Sequence, residues 1–179
     1  MHPPSTVAAF DDALASVGVS FSGIVIGGTA LALIGVLVRP TRDCDVLDPP
    51  IPEAVQAVAK AFAAQRRAQG EVLGDDWFNS GPSSLTGVLP QGWRQRVVPA
   101  YTGRALVLMT LGRSDLLATK LFALCDRGTD LGDCLALAPQ PEELAALQGW
   151  LEYQDANTEW PAHTRLVVAD LSRRLGHGL

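Results

Sequence analysis

The sequence is poor in the side chains that most often carry catalysis or bind transition metals. Its few histidines and cysteines are scattered along the chain at His2, His163, His177, Cys44, Cys125 and Cys134. The odd, unpaired cysteines predict neither a disulfide framework nor a zinc site, and the histidines offer no acid–base pair. This cysteine usage is typical of a reducing compartment, and we expect a cytoplasmic protein.

Targeting signals and long apolar runs are also lacking. The first six residues have neither the basic stretch nor the apolar run of a secretory signal. The longest apolar run, residues 23–38, has 16 residues, which as a helix would span about 24 Å against a hydrocarbon core of about 30 Å. Because glycines interrupt this run, we interpret it as a strand, a turn and a helix and expect no membrane partner.

Charged residues are scarce, at 18% of the chain, and their formal sum is −5. Non-specific nucleic-acid binding requires a basic surface, so this charge excludes a protein that binds nucleic acid non-specifically. Any contact with RNA would have to be local. Hydrophobic residues make up 47% of the 179 residues, which is typical of a globular protein with one core. The length allows a small helical part beside that core.

Hydrophobic periodicity and cap residues predict an α/β or α+β fold with a small mixed sheet. We expect strands over residues 21–26, 43–47 and 105–111. Helices are predicted near residues 5–17, 29–34, 52–69, 114–127, 131–138, 141 onward and 161–175, with caps at Ser5 or Thr6, at Thr29 and at Ser114. Residues 1–113 would form the core, and residues 114–179 a mostly helical part packed on it as a single structural unit.

Two aspartates, Asp43 and Asp45, lie one residue apart in the second predicted strand. Because strand side chains alternate, both carboxylates point to one face, about 7 Å apart at the backbone, and Cys44 points to the other. Such a pair can bind Mg²⁺ or Mn²⁺, hard cations that prefer oxygen ligands and share them with substrate phosphates. An isolated Asp-x-Asp is also common at solvated strand edges. The surrounding sequence must therefore show whether this pair binds a metal ion.

The surrounding sequence supplies a glycine turn upstream. Gly27 and Gly28 separate a predicted strand from a predicted helix, and Thr29 follows. Glycines let the backbone approach a phosphate closely, and a helix N-terminus offers N–H groups and the positive end of a dipole. Together with the aspartate pair, this turn predicts a phosphate site facing a metal site, which is what nucleotidyl transfer requires.

Two stretches, Gly27-Gly28-Thr29-Ala30-Leu31 and Arg39-Pro40-Thr41-Arg42-Asp43-Cys44-Asp45-Val46, resemble the signature of the minimal nucleotidyltransferases. The resemblance is closest to the AbiEii-like bacterial group, many of them toxins of toxin–antitoxin pairs. The run Lys120-Leu121-Phe122-Ala123, with Arg127, Asp130 and Asp133 after it, is similar to that group's second motif. Trp77-Phe78-Asn79 is similar to a Trp-Leu-Asn element of its relatives.

The resemblance implies Mg²⁺-dependent transfer of a nucleoside monophosphate from an NTP to an acceptor hydroxyl. The acceptor would be a tRNA or other RNA, a protein or a small molecule, and an antitoxin protein is a further implied partner. The implied catalytic residues are Asp43, Asp45, Lys120, Asp130 and Asp133, with Asp43 and Asp45 as metal ligands. The implied nucleotide-binding residues are Gly27, Gly28, Thr29, Lys120 and Arg127.

Two other functions stay open. The strand over residues 105–111 has no acid where many nucleotidyltransferases place a third carboxylate. A degenerate member of the fold that binds a nucleotide or a protein without turnover is therefore the alternative. An antitoxin-like interaction protein, with an interface on its C-terminal helices, is the third interpretation.

Lys120 can be placed without the family. At 100° per residue it lies inside the apolar stripe formed by Leu116, Leu117 and Leu124, with Arg127 on the same side. Its ammonium either extends along the stripe to water or reaches the carboxylate cleft. We expect the second arrangement, and we expect Lys120→Met to keep or raise stability while abolishing transfer.

Overall fold

The computed structural model describes residues 1–177 and divides the chain into two compact units. The first unit comprises Met1–Gly87 and Arg94–Leu111, and the second comprises Val88–Trp93 and the chain from Gly112 onward. The expected domain boundary between residues 113 and 114 stays a prediction. No helix within residues 1–177 combines the length and the apolarity that crossing a bilayer requires.

The first unit is built on five strands, which are β1 (Phe21–Ile26), β2 (Cys44–Asp48), β3 (Phe78–Asn79), β4 (Val98–Thr102) and β5 (Leu106–Thr110). They form one mixed sheet in the order β3-β2-β1-β5-β4. β1 pairs antiparallel with β2 and parallel with β5. β3 runs parallel to β2, and β4 runs antiparallel to β5. The mixed sheet with flanking helices confirms the predicted fold class.

Three helices accompany this sheet, α1 (Pro3–Ser16), α2 (Gly27–Leu33) and α3 (Glu53–Ala68). α1 begins before the expected caps Ser5 and Thr6, because its two prolines suit the first turn of a helix. α2 begins at Gly27, directly after β1, so the predicted cap at Thr29 is wrong. Thr29 lies inside the helix and its side chain is used elsewhere.

Aromatic rings fill the core of the first unit. Phe10 of α1 contacts Phe62, Trp77 and Phe78, with ring centroids 5.0 to 5.5 Å apart. The Trp77 ring is only 1% exposed, and its indole N–H donates to the carbonyl of Ala59. Trp77 is therefore a core residue and does not offer a surface on which a base could stack.

A buried carboxylate fastens α1 to the turn between β4 and β5. Asp11 is 4% exposed, and its two oxygens accept hydrogen bonds from the N–H groups of Arg104, Ala105 and Leu106 at 2.7 to 2.9 Å. The Tyr101 hydroxyl is a further donor, at 3.3 Å. Asp11 therefore ties the hairpin edge of the sheet to the first helix.

The second unit is helical, with α4 (Arg113–Arg127), α5 (Leu131–Leu137), α6 (Pro141–Glu152) and α7 (Trp160–Arg174). These bounds agree with the predicted helices to within about two residues. The residue preceding α4 is Gly112, so Ser114 lies in the first turn and is not the cap that the sequence predicted. α4 ends at Gly128, whose left-handed conformation closes the last turn.

Candidate functional site

The register between β1 and β2 brings Asp45 next to the glycine turn. Asp45 lies opposite Ile26, the last residue of β1, and Gly27 follows directly with a φ of +77°. A Cβ atom on Gly27 would lie 2.9 Å from Oδ2 of Asp45. Only glycine allows this backbone conformation and this close approach of the carboxylate.

Asp43 lies one residue before β2, and the burial of its neighbours agrees with the predicted alternation. Asp43 and Asp45 are half-buried, whereas Cys44 between them is fully buried. Burial, together with the adjacent carboxylates of Asp45 and Asp43, raises the pKa of the Cys44 thiol. The thiol stays protonated and is part of the core, whereas the two aspartates on either side of it are more exposed.

Two threonines hold the backbone of Asp43 against the start of α2. The Thr29 hydroxyl donates to the carbonyl of Asp43 at 2.6 Å and lies 2.9 Å from the hydroxyl of Thr41. Both threonines are buried. The side chain of Thr29 is thus committed to positioning Asp43, which leaves only its backbone to meet a ligand.

Gly28 has a packing role that the sequence did not reveal. A Cβ atom at this position would lie 3.0 Å from the methyl group of Thr41.

The helix α2 is only seven residues long, so its dipole is small and contributes little to binding a phosphate. No side chain of the described residues caps its first turn, and the backbone N–H groups of that turn are the feature that suits a phosphate.

Asn79 is a residue of this site that the sequence reasoning did not include. β3 places it directly beside Asp45, and its amide nitrogen donates to Oδ1 of Asp45 at 3.1 Å. Its amide oxygen accepts the N–H of Gly81 at 2.8 Å. The run Trp77-Phe78-Asn79 was visible as a motif, but only the pairing of β2 with β3 shows what Asn79 contacts.

A cavity of about 280 Å³ opens beside Asn79. Side chains from α3 and from the segment leading to β3 line it, among them Gln56, Lys60, Asp75 and Asp76. Asn79 therefore contacts both this cavity and the carboxylate of Asp45. A small ligand has room beside Asn79.

The donor set at Asp43 and Asp45 fits Mg²⁺ in one particular way. Within residues 1–177, no group of three or more histidine, cysteine, aspartate or glutamate side chains is arranged to hold a metal ion. Mg²⁺ usually binds one or two carboxylates and completes its shell with water and substrate phosphates. The pair therefore fits an ion that is shared with a phosphate-bearing substrate.

The strand on the other side of β1 offers no further acid. In β5, Thr110 lies opposite Val25, and its buried hydroxyl donates to the Val25 carbonyl at 2.8 Å. The remaining residues of β5 are apolar. β5 therefore carries no carboxylate, and its polar side chain, Thr110, is hydrogen-bonded within the sheet.

In the second unit, Lys120 forms a buried ion pair. Its side chain is 7% exposed, and its ammonium lies 2.8 Å from Oδ2 of Asp133 and 3.4 Å from Oδ2 of Asp130. Asp130 precedes α5 in a left-handed conformation, with φ +66°, and Asp133 lies in the first turn of that helix. Lys120 therefore pairs with Asp133 and Asp130 and does not extend to water. Its expected place in the cleft of Asp43 and Asp45 stays a prediction.

This ion pair also overturns the expected stability of Lys120→Met. The Asp133 side chain is only 2% exposed, so removing the ammonium would leave a buried carboxylate without its cation. Arg127 does not take part, since it pairs with Asp126 at 3.6 Å and its side chain is 61% exposed. Burial raises the pKa of nearby Cys134 to about 12, so this thiol is protonated and inert.

Comparison with known proteins identifies a family for this chain. A family model described as "Nucleotidyltransferase of unknown function (DUF6036)" matches residues 7–136, more than half of the chain. The match includes the glycine turn, the aspartate pair and the cluster around Lys120. Searches of the curated proteins and of the solved structures gave no significant match.

Proposed function

The chain belongs to the DUF6036 family of nucleotidyltransferases of unknown function, and from this premise we propose that it transfers a nucleoside monophosphate from an NTP to an acceptor hydroxyl. The observation that supports this most strongly is the contact between Gly27 and Asp45. Oδ2 of Asp45 would lie 2.9 Å from any Cβ at Gly27, so a carboxylate suited to a metal adjoins a turn suited to a phosphate.

In the proposed reaction, the acceptor oxygen attacks the α-phosphorus of the NTP and loses its proton to water. The bond from that phosphorus to the bridging oxygen breaks, and pyrophosphate leaves. Such reactions depend mainly on positioning and on neutralising charge. When bound at Asp43 and Asp45, Mg²⁺ would neutralise charge on the phosphate oxygens. The backbone of Gly27 and Gly28 would approach those same oxygens and orient them.

The first unit holds these groups in a fixed frame. Thr29 fastens the backbone of Asp43, and Asn79 fastens the side chain of Asp45. A site built from such fixed groups needs little rearrangement to bind charge, which favours catalysis by preorganisation. We propose that the frame serves the triphosphate of the NTP.

A specific observation favours a second candidate function. Thr110 stands on β5, in the strand where many nucleotidyltransferases place a third carboxylate, and its hydroxyl donates to the backbone of β1. A chain with two carboxylates can bind a nucleotide through a shared ion yet turn it over slowly or not at all. The second candidate is therefore a nucleotide-binding protein of this fold without turnover.

The finer features of the function rest on the resemblance to AbiEii-like proteins. On that basis we propose that Lys120, Asp130 and Asp133 take part in the reaction, and that the chain acts as a toxin with an antitoxin partner. An RNA such as tRNA, a protein or a small molecule would carry the acceptor hydroxyl. The net charge of −5 favours an acceptor that makes only local contacts.

The test is incubation with each α-labelled NTP, Mg²⁺ and a cell extract containing RNA and protein. We expect label to enter one acceptor class with release of pyrophosphate, and Asp45→Asn to abolish both. Asp48→Asn is the matched control, because Asp48 lies on the same strand but pairs with Arg94 at 2.6 Å. Equal labelling by the wild type and Asp45→Asn would contradict the proposal, and Mg²⁺-dependent binding without pyrophosphate release would favour the second candidate.

A further inference from the structure

We infer that Asn79 is a positioning residue, which orients the carboxylate of Asp45 at the glycine turn, where Asp45 would hold the metal ion. The inference rests on the proposed function, because it concerns the same ion. It adds a residue that neither the sequence motif of paired aspartates nor the family match assigns. Asn79 lies on β3, beside Asp45 in the register of the sheet.

The two oxygens of Asp45 have different neighbours. Oδ1 accepts the amide N–H of Asn79 at 3.1 Å. Oδ2 faces Gly27, where an added Cβ would come within 2.9 Å of it. The hydrogen bond from Asn79 restricts the rotation of the carboxylate to one in which the second oxygen lies against the glycine turn.

The orientation of the Asn79 amide is itself fixed by a second hydrogen bond. Its oxygen accepts the N–H of Gly81 at 2.8 Å, so its NH₂ group must be the end that faces Asp45. An asparagine meets both requirements at once, since it carries an acceptor for Gly81 and a donor for Asp45. A side chain with an acceptor alone would satisfy only the turn.

This arrangement has the form of a supporting contact in a metal site. Carboxylate ligands are commonly oriented by hydrogen bonds from neighbouring groups, and loss of such a partner typically weakens metal affinity by about 10-fold to 100-fold. Asn79 is half-buried beside Asp45, and Mg²⁺ does not require it as a ligand. Its expected effect is therefore on the affinity for the ion, exerted through Asp45.

The substitution Asn79→Ser separates this role from the role in the turn. A serine hydroxyl can still accept the N–H of Gly81, as in turns of this kind, but it is too short to reach Asp45. Ser80→Ala is the matched control, because Ser80 belongs to the same segment and accepts the N–H of Ile51 without an observed contact to Asp45. Asp45→Asn removes the proposed ligand itself.

The experiment is a titration of each purified full-length variant with Mn²⁺, following free Mn²⁺ by electron paramagnetic resonance, with thermal melts to verify folding. We expect Asn79→Ser to bind Mn²⁺ about 10-fold or more weakly, Ser80→Ala to bind within twofold of the wild type, and Asp45→Asn to bind more weakly than either. Wild-type affinity in folded Asn79→Ser, with binding lost in Asp45→Asn, would overturn the role of Asn79 alone. Wild-type affinity in Asp45→Asn would overturn the metal site and this inference with it.

Discussion

Gly27 and Gly35 have nearly the same backbone conformation but different surroundings. Their φ values are +77° and +78°, and they lie at the start of α2 and just beyond its end. An added Cβ at Gly35 would meet no atom within 4 Å, whereas one at Gly27 would meet the carboxylate of Asp45 at 2.9 Å. The pair therefore separates backbone strain from contact with the site.

We expect Gly35→Ala to cost about 1–2 kcal/mol of unfolding free energy, from the left-handed conformation alone. Gly27→Ala should cost at least about 1 kcal/mol more, because the methyl group displaces Asp45. It should also weaken Mg²⁺-dependent NTP binding, which Gly35→Ala should leave unchanged. Urea unfolding and calorimetry measure the two effects, and equal NTP affinity in both variants would contradict the contact with Asp45.

Lys120 gives a second prediction at the residue scale. Because Asp133 is buried against its ammonium at 2.8 Å, Lys120→Met should lower the unfolding free energy by about 3–5 kcal/mol. The double variant Lys120→Met/Asp133→Asn should recover part of this loss, since no buried charge is then left at Asp133. Urea unfolding of the two single variants and the double variant measures this coupling. Simple additivity of the single effects would show that the ion pair does not stabilise the second unit.

At the scale of elements, Asp11 joins α1 to the β4–β5 turn. Burial opposes its charge, but the N–H groups of Ala105, Arg104 and Leu106 and the Tyr101 hydroxyl together hold its pKa below the ordinary 3.8. A carboxyl group with a lowered pKa stabilises the folded state above its ordinary pKa. That stabilisation is lost as the pH falls through the lowered value.

We therefore expect Asp11→Asn to lower the unfolding free energy by about 2 kcal/mol or more at pH 7, since hydrogen bonds to a charged group are stronger than neutral ones. The difference from the wild type should stay constant down to about pH 5 and shrink below about pH 4. Urea unfolding across this pH range measures it. A difference that grows as the pH falls would contradict the assignment.

The adjacent Asp12 is the matched control for Asp11. It pairs with Arg104 at 2.6 Å, but both side chains are about 70% exposed. Exposed ion pairs typically contribute less than about 1 kcal/mol, because water screens them. Asp12→Asn should therefore change stability little at any pH, although its charge change equals that of Asp11→Asn.

The elements with strong local signals were predictable from the sequence, and the edge strands were not. β1 is predicted with its observed bounds, because a six-residue segment rich in β-branched residues ends at a glycine pair. β4 was missed because Pro99 interrupts it, and its register shifts at that point, as is tolerated only at an edge. β3 has two residues and exists only through its pairing with β2.

At the scale of the whole molecule, the sequence predicted which residues form the candidate site better than it predicted what each one does. The spacing of Gly27, Asp43 and Asp45 within two adjacent elements is a local pattern. The strand register places Asp45 opposite Ile26, the residue before Gly27. The role of Thr29 was not visible, because its hydroxyl bonds to a carbonyl 14 positions away. Asn79 lies 34 positions from Asp45, and only the sheet brings them into contact.

The family match and the division into units apply at this scale as well. The matched residues, 7–136, include most of the first unit and the α4–α5 cluster of the second. Each cluster lies within its own unit. The aspartate pair lies in the first unit, with Asp45 in β2 and Asp43 just before it, and Lys120 of α4 pairs with Asp133 of α5 in the second unit. Substitutions at Lys120 should therefore change the stability of the second unit, and substitutions at Asp45 should change ligand binding with little effect on folding.

The measurement that tests the central claim most directly is calorimetry of NTP binding, with Mg²⁺ and with EDTA, to the wild type, Asp43→Asn, Asp45→Asn and the control Asp48→Asn. We predict binding by the wild type and Asp48→Asn only when Mg²⁺ is present. Each of the other two variants should bind at least about tenfold more weakly, a loss of about 1.4 kcal/mol, and should keep the wild-type melting temperature to within a few degrees because both carboxylates are half-buried and lie outside the core. Unchanged Mg²⁺-dependent affinity in both Asp43→Asn and Asp45→Asn would contradict the account.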